Sequence, residues 1–121
     1  MIHLCDDLIF TSKVSGVARS HGVALRSTKS ADDLLTFCEQ SPPNCVIIDL
    51  NVPGLDIEFA TQRLIRLQPR PLLVGYGSHV DTETLKRARQ AGFDVVWPRS
   101  KFVEELETSL PRWAQPPESA P

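Results

Sequence analysis

The sequence predicts one α/β domain in which helices cover both faces of a parallel sheet. Apolar, strand-like runs alternate five times with segments of helical periodicity. The third run, at 45–50, is almost continuously apolar and β-branched, as in parallel strands buried on both faces. The length of 121 residues suits a single core. Together these observations favour one sheet with right-handed crossovers.

The first two strand-helix units are recognised from apolar spacing and capping residues. A strand is predicted at 2–5, and the helix after it ends at Gly22. Its apolar positions share one helical face: Phe10, Val14, Val17 and Ala18. A second strand is predicted at 23–26. Ser30 with Asp33 resembles a capping box and predicts the start of the second helix.

The third and fourth units follow the same pattern. The apolar strand at 45–50 leads into a predicted helix at 55–68, which ends before a break marked by two prolines. A fourth strand is predicted at 72–76. Asp81 and Glu83 are expected to open the fourth helix, and Gly92 is expected to end it, because glycine adopts the left-handed conformation common after helices.

The fifth unit completes the domain. A strand is predicted at 94–98, Ser100 is expected to cap the last helix, and Pro111 is expected to disrupt or end it. The predicted domain therefore spans 1–113. The proline-rich segment 114–121 is expected to be a flexible tail.

Composition excludes several partner classes. The net charge is −2, from 13 basic and 15 acidic residues, and no basic run is longer than Lys86-Arg87, so a nucleic-acid partner is not expected. No apolar run approaches the ~20 residues that a membrane span needs, and the N-terminus lacks the pattern of a secretory signal. We therefore expect a cytoplasmic protein without membrane contact.

Cysteine and histidine patterns suggest no metal site or disulfide framework. Cys5, Cys38 and Cys45 have no C-x-x-C spacing and lie in apolar segments, which predicts buried thiols. The three histidines show no partner pattern for a triad or metal site, so surface or edge positions are expected: His3, His21 and His79.

The residues that follow the strands are the candidates for chemistry, because ligands of such sheets bind beyond the carboxyl ends of the strands. These residues are Asp6 and Asp7 after the first strand, Asp49 and Asn51 after the third, Gly77 and Ser78 after the fourth, and Arg99 after the fifth. If the first and third strands are neighbours, their three carboxylates need a counter-charge. Mg²⁺ suits this role, since it prefers oxygen ligands. A carboxylate beside Mg²⁺ and a guanidinium can act as a nucleophile toward a phosphoryl group.

Four features together resemble the receiver domain of two-component response regulators, in a divergent, chemotaxis-regulator-like form. They are "CDD" at 5–7, "VIIDLNVPG" at 46–54, "AGFDVV" at 91–96, and the succession of five strand-helix units. The similarity covers about residues 1–113. It implies a flavodoxin-like (βα)5 fold with a five-stranded parallel sheet in the order 2-1-3-4-5, and a role in phosphorelay signal transduction.

The resemblance also implies residue roles. Asp49 matches the acceptor that takes a phosphoryl group from a histidine kinase or phosphotransfer protein. Asp7 matches a direct Mg²⁺ ligand, Asp6 a neighbour acting through water, and Asn51 a position that lends its backbone carbonyl. The output would be the binding of a downstream protein target. The only enzymatic activity expected is self-phosphorylation and dephosphorylation at Asp49, without turnover.

The departures from the family pattern concern switching. Gly77 stands where a Thr or Ser hydroxyl is expected, and Ser78 could replace it only if the loop shifts. Arg99 stands in place of a lysine and, as a planar fork, would coordinate a phosphoryl group differently. Val96 occupies the place of a switch aromatic, with Trp97 adjacent. A hydroxyl contact to a phosphoryl oxygen is worth about 1.5–3 kcal/mol. Its loss is enough to weaken the coupling between phosphorylation and loop movement.

Two functions therefore remain open. One is a receiver phosphorylated on Asp49 with Mg²⁺; the alternative is a degenerate pseudo-receiver that binds a partner without phosphorylation. Purely structural roles also remain: the Asp6-Asp7 pair as a helix cap, Asp49 with Asn51 as the start of a turn, and Arg99 as an ion-pair partner. A phosphatase of the haloacid dehalogenase type would need an acid where Asn51 stands. A flavodoxin-like cofactor module would need a phosphate loop after the first strand.

Overall fold

The strands of the chain form one parallel sheet. The computed structural model describes residues 1–115. Within them the strands are β1 (Ile2–Leu4), β2 (Arg26–Thr28), β3 (Cys45–Asp49), β4 (Leu72–Gly77) and β5 (Val95–Pro98). The helices are α1 (Leu8–Ser20), α2 (Ala31–Gln40), α3 (Ile57–Leu64), α4 (Thr82–Ala91) and α5 (Arg99–Trp113). Strand and helix alternate throughout, as the periodicity predicts.

The strand order is β2-β1-β3-β4-β5, which confirms the order implied by the resemblance. All pairings are parallel. Leu4 lies opposite Ile48, and Asp49 lies opposite Tyr76. The carboxyl ends of β1 and β3 are therefore adjacent, so the residues that follow them share one rim of the sheet.

The sheet separates two apolar clusters. Alternate residues of β3 point to opposite faces, as strand geometry requires. Val46 and Ile48 belong to the cluster under α2, α3 and α4, whereas Cys45 and Ile47 belong to the cluster under α1 and α5. This two-sided burial explains why β3 is so uniformly apolar.

The predicted second strand at 23–26 is wrong. The strand lies at Arg26–Thr28, and of its residues only Thr28 is buried. Val23 donates its N–H to the carbonyl of Ala18 at 2.8 Å, and Val23 and Leu25 pack against the cluster under α1 and α5 before the strand begins. Because β2 is an edge strand, it carries no run of apolar residues. The apolar residues Val23 and Leu25 upstream therefore led to a strand being predicted too early in the chain.

The helix predicted at 55–68 is shorter in the structure. The Asp56 carboxylate accepts the N–H of Phe59 at 3.0 Å and so caps α3, which begins at Ile57. The helix ends at Leu64, and Leu67 donates to the Leu64 carbonyl in a tighter turn. The predicted cap of α2 is confirmed, since Ser30 accepts from the backbone of Asp33.

Both predicted boundaries of the last helix are wrong. Arg99 is already helical, so Ser100 lies in the first turn and is not the cap. Pro111 lies inside the helix, which continues to Trp113. A proline near a helix end removes one backbone hydrogen bond. The Trp113 ring stacks on that of Phe102, with ring centroids 6.2 Å apart. This contact stabilises the last residues of the helix beyond Pro111.

The last helix, α5, ends at Trp113, and the domain limits of 1–113 stay a prediction. Of the segment 114–121, Ala114 and Gln115 are described, and the Asn44 amide donates to the Ala114 carbonyl at 3.0 Å. Residues 116–121 lie outside the described residues. Within residues 1–115, none of the helices is both long enough and apolar enough to cross a membrane.

The three cysteines are free and buried, which confirms the prediction of buried thiols. Burial raises the pKa of Cys38 to about 11 and that of Cys45 to about 12. Both thiols are therefore protonated at neutral pH.

Candidate functional site

Asp49 lies at the carboxyl end of β3 and is only 3% exposed. Its Oδ1 accepts the N–H of Asn51 at 3.0 Å, and its Oδ2 accepts from Arg99 Nη2 at 3.3 Å. Burial raises the pKa of Asp49, and the nearby charges of Asp6 and Asp7 raise it further, whereas the Asn51 N–H and Arg99 act in the opposite direction. The three acids thus interact, as the strand order predicts.

The contact between Asp49 and Asn51 also starts a turn. The Asp49 carbonyl accepts the N–H of Val52 at 3.2 Å, and Gly54 has a φ of 80°. Both features are typical of a turn in which an aspartate binds the backbone two residues ahead. The structural role left open for Asp49 and Asn51 is therefore present.

Asp7 is engaged as the cap of α1. Its Oδ1 accepts the backbone N–H groups of Ile9 at 3.0 Å and Phe10 at 3.1 Å. This supports the helix-cap alternative for Asp7. Asp6 is exposed beside it.

The oxygen donors suit Mg²⁺ by their chemistry but are not arranged as a ligand group. Among residues 1–115, no group of three or more His, Cys, Asp or Glu residues is placed to hold a metal ion. The reason is local: Asp7 is turned toward the start of α1, and Asp49 is turned toward Arg99. In this arrangement the positive charge at Asp49 comes from a guanidinium.

Arg99 is the first residue of α5 and reaches back over the site. Its guanidinium lies 5.1 Å from the ring centroid of Phe10 and 5.8 Å from that of Tyr76. Its side chain is 42% exposed, yet Nε is buried and has no hydrogen-bond partner among residues 1–115. The ion pair with Asp49 supports the structural role left open for Arg99.

Gly77 and Ser78 do not supply a hydroxyl to Asp49. Gly77 is the last residue of β4 and has no side chain. Ser78 Oγ accepts from the N–H of Val80 at 3.4 Å, within its own loop. A replacement of the expected Thr or Ser by Ser78 was predicted only with a shift of this loop, and it stays a prediction.

The side chain of Asn51 was missed by sequence reasoning, which assigned a role only to its backbone. Its Oδ1 accepts the N–H of Ser78 at 2.8 Å, and its Nδ2 donates to Asp81 Oδ2 at 3.1 Å. The same Asp81 caps α4 by accepting from Thr84 at 3.2 Å. Hydrogen bonds from Thr84, and then from Asn51, lower the pKa of Asp81. The absence of a side chain at Gly77 is the sequence signal that could have suggested a neighbour filling this space.

The aromatic residues near the site are mostly core residues. Tyr76 and Phe102 are fully buried, with ring centroids 4.3 Å apart. Val96 is buried, and the ring of Trp97 packs against that of Trp113, with ring centroids 5.6 Å apart. The position expected for a switch aromatic thus holds a buried aliphatic residue.

The expectation that His3 lies at the surface or an edge is wrong. Ile2 and Leu4 point into one apolar cluster, so His3 between them points to the opposite face, where it is fully buried. Its Nε2 lies 2.8 Å from the Tyr76 hydroxyl, while Nδ1 has no partner in the described part of the chain. Burial lowers the pKa of His3 to about 4, so the ring is neutral at pH 7.

Solved receiver domains of response regulators and sensor kinases share this fold. The receiver domain of NtrX from Brucella abortus superposes with a TM-score of 0.78 at 20% identity, covering 93% of this chain and 96% of that chain. The receiver domain of the sensor histidine kinase PA1611 from Pseudomonas aeruginosa PAO1, solved with magnesium in its active site cleft, has a TM-score of 0.78 at 17% identity, with coverages of 93% and 94%. The chemotaxis response regulator CheY4 of Vibrio cholerae has a TM-score of 0.77 at 14% identity, with coverages of 93% and 95%.

These similarities establish the fold. The chain has the receiver fold, as the sequence motifs implied. No protein-family model and no curated protein sequence matches it. Because one fold serves many functions, function depends on the residues of the site.

Proposed function

We propose that this chain is a two-component signalling receiver that accepts a phosphoryl group on Asp49 and acts by binding a protein partner. The observation that carries this proposal is the position of the Asp49 carboxylate. It lies at the end of the central strand β3, within reach of a guanidinium from α5 and beside two exposed acids on the neighbouring strand end. This is the crevice in which ligands of such sheets bind.

The chain's own residues can serve phosphoryl transfer. An oxygen of ionised Asp49 would attack phosphorus, forming an acyl phosphate as the bond between phosphorus and the donor group breaks and that group takes up a proton. Arg99 would move its hydrogen bond from Asp49 Oδ2 to a phosphoryl oxygen. When bound, Mg²⁺ would neutralise charge on the phosphoryl oxygens. Asp6, Asp7, Asp49 and the backbone carbonyl of Asn51 would hold it, once Asp7 turns from the start of α1 and Asp49 turns from Arg99.

The proposed partners are a histidine kinase or phosphotransfer protein and a downstream protein target. Support comes from solved structures with the same fold, which include two receiver domains, one of them from a sensor histidine kinase, and a chemotaxis response regulator. We place this function in the cytoplasm, where three free thiols stay reduced. The proposed activity is self-modification at Asp49 and not turnover of a substrate.

A second function, that of a pseudo-receiver, is favoured by two observations. Arg99 already pairs with Asp49, and Gly77 offers no hydroxyl to a phosphoryl oxygen. In this function the ion pair is structural, and a fixed surface binds the partner without phosphorylation.

Intact-mass measurement after incubation with a small phosphodonor and Mg²⁺ separates the two functions. A receiver gains the mass of one phosphoryl group, and Asp49→Asn does not. Asp32→Asn, which changes an exposed acid on α2, keeps the gain. Arg99→Met should slow the gain roughly ten- to hundredfold, because it removes one charge-assisted hydrogen bond. A wild-type protein that gains no mass, and whose tryptophan fluorescence is unchanged by Mg²⁺, would instead support the pseudo-receiver.

A further inference from the structure

A continuous series of hydrogen bonds joins the Asp49 carboxylate to the start of α4. Asp49 Oδ1 accepts the N–H of Asn51 at 3.0 Å, and Asn51 Oδ1 accepts the N–H of Ser78 at 2.8 Å. Asn51 Nδ2 donates to Asp81 Oδ2 at 3.1 Å, and Asp81 Oδ1 accepts from Thr84 at 3.2 Å. A single side chain, that of Asn51, thus connects the loop after β3 with the loop after β4.

The space filled by the Asn51 amide is the space that a side chain at residue 77 would enter. A Cβ added to Gly77 would lie 3.0 Å from Asn51 Oδ1, closer than ordinary van der Waals contact, and 3.4 Å from a methyl carbon of Leu85. The glycines with positive φ are Gly22, Gly54 and Gly92, so the backbone of Gly77 does not itself require glycine. Close approach of Asn51 is therefore the physical reason for a glycine here.

The β4–α4 loop, defined as residues 78–81, depends on Asn51 for its hydrogen bonds to the loop after β3. Within the described residues, those bonds are the two made by the Asn51 amide. The loop's other hydrogen bonds are internal or cap α4, and Val80 is 75% exposed. The planar amide makes both bonds at once, and the bond to the Asp81 carboxylate is charge-assisted.

We propose that Asn51 is a positioning residue that couples the Asp49 carboxylate to the β4–α4 loop and α4, in the space that a side chain at residue 77 would occupy. A change at Asp49 Oδ1 alters the bond to the Asn51 N–H, and the Asn51 side chain transmits the displacement to Ser78 and Asp81. The use of this link in signalling rests on the proposed receiver function. The link itself does not depend on phosphorylation.

Amide hydrogen exchange of the unmodified full chain tests the link. In Asn51→Ala the Ser78 amide should exchange roughly two- to tenfold faster, because one hydrogen bond is lost. The control is Asn44→Ala, which removes an amide bonded to Ala114 and should leave Ser78 exchange unchanged. Unchanged Ser78 exchange in Asn51→Ala would overturn the proposal.

Coupling to Asp49 is tested by combining variants. Asp49→Ala removes the acceptor of the Asn51 N–H, so it should also speed exchange at Ser78. In the Asn51→Ala background the same change should have no further effect at Ser78, because the connection is already broken. An equal acceleration in both backgrounds contradicts a route through Asn51.

A third variant tests the shared space. Gly77→Ala should lower the thermal unfolding midpoint of the wild type, and should lower it by less than half as much in the Asn51→Ala background, where the close oxygen is gone. Equal losses in both backgrounds count against the steric argument. None of these measurements uses a phosphodonor, so they remain decisive if Asp49 accepts no phosphoryl group. Conversely, a failed link leaves the mass measurement on the wild-type protein unaffected.

Discussion

At the scale of single residues, burial disfavours the charged form of both Asp49 and His3. It raises the pKa of the acid and lowers that of the base. The Asp49 carboxylate accepts hydrogen bonds from Arg99, from the Asn51 N–H and, at 3.9 Å, from the Cys5 thiol. The partner of His3 among residues 1–115 is the Tyr76 hydroxyl, and burial lowers the pKa of His3 to about 4.

We predict that His3 makes the protein less stable in mild acid. Its pKa is lowered in the folded state, so its contribution is fully present above the ordinary value of 6.5 and is lost as pH falls toward its folded pKa of about 4. A shift of this size corresponds to about 3 kcal/mol in the free energy of unfolding. Urea unfolding at pH 7.5 and pH 4.5 measures it. His3→Gln should lose much of this pH dependence, whereas His79→Gln, at an exposed position, should retain it. Identical pH dependence in all three proteins would contradict this role.

At the same scale, the sequence predicts the position of Asp49 but not all of its contacts. Asp49 follows an apolar run, and the strand order brings it to the rim shared with Asp6 and Asp7. The side-chain contacts of Asn51 join residues 27 and 30 positions apart, across two loops. Such contacts depend on loop conformation, which motif spacing does not define.

At the scale of secondary-structure elements, two aspartates cap neighbouring helices, but only one is bonded to Asn51. Asp81 caps α4 and Asp56 caps α3. We predict that replacing either with alanine lowers the free energy of unfolding by about 1 kcal/mol, the usual cost of losing a cap. Asp81→Ala should also speed Ser78 amide exchange, since it frees the Asn51 side chain; Asp56→Ala should not. Chemical denaturation with exchange measurements tests both statements. Faster Ser78 exchange in both variants would show that the effect is not specific to Asn51.

Elements with strong local signals are predicted well, whereas those defined by tertiary context are not. The continuous apolar run of β3, the Ser30 cap of α2 and the end of α4 at Gly92, with a φ of 121°, are all confirmed. The edge strand β2 buries one residue and shows no alternation. Pro111 remains helical because Trp113 beyond it packs on the core.

At the scale of the whole molecule, the sheet lies between two apolar clusters, each covered by different helices. Leu64 of α3 belongs to one cluster, whereas Trp97 and Trp113 pack against the other. We predict that Leu64→Ala lowers the free energy of unfolding by about 2–5 kcal/mol through loss of buried contacts and cavity formation. If the domain unfolds as one unit, tryptophan fluorescence and far-UV circular dichroism should shift together, although neither tryptophan lies in that cluster.

The matched control for this prediction is Gln62→Ala, which changes an exposed position of the same helix. It should leave the unfolding midpoint nearly unchanged. A fluorescence transition that stays in place in Leu64→Ala while the circular dichroism transition moves would show that the two faces unfold separately.

The outer strands also bear on how the molecule meets copies of itself. β2 has three residues, including an arginine, and β5 has four, ending in a proline that cannot donate a backbone hydrogen bond. A second chain that paired as a further strand would find few free backbone N–H and C=O groups at either edge of the sheet. Short edge strands, which made β2 hard to locate in the sequence, therefore also protect the sheet from edge-to-edge aggregation.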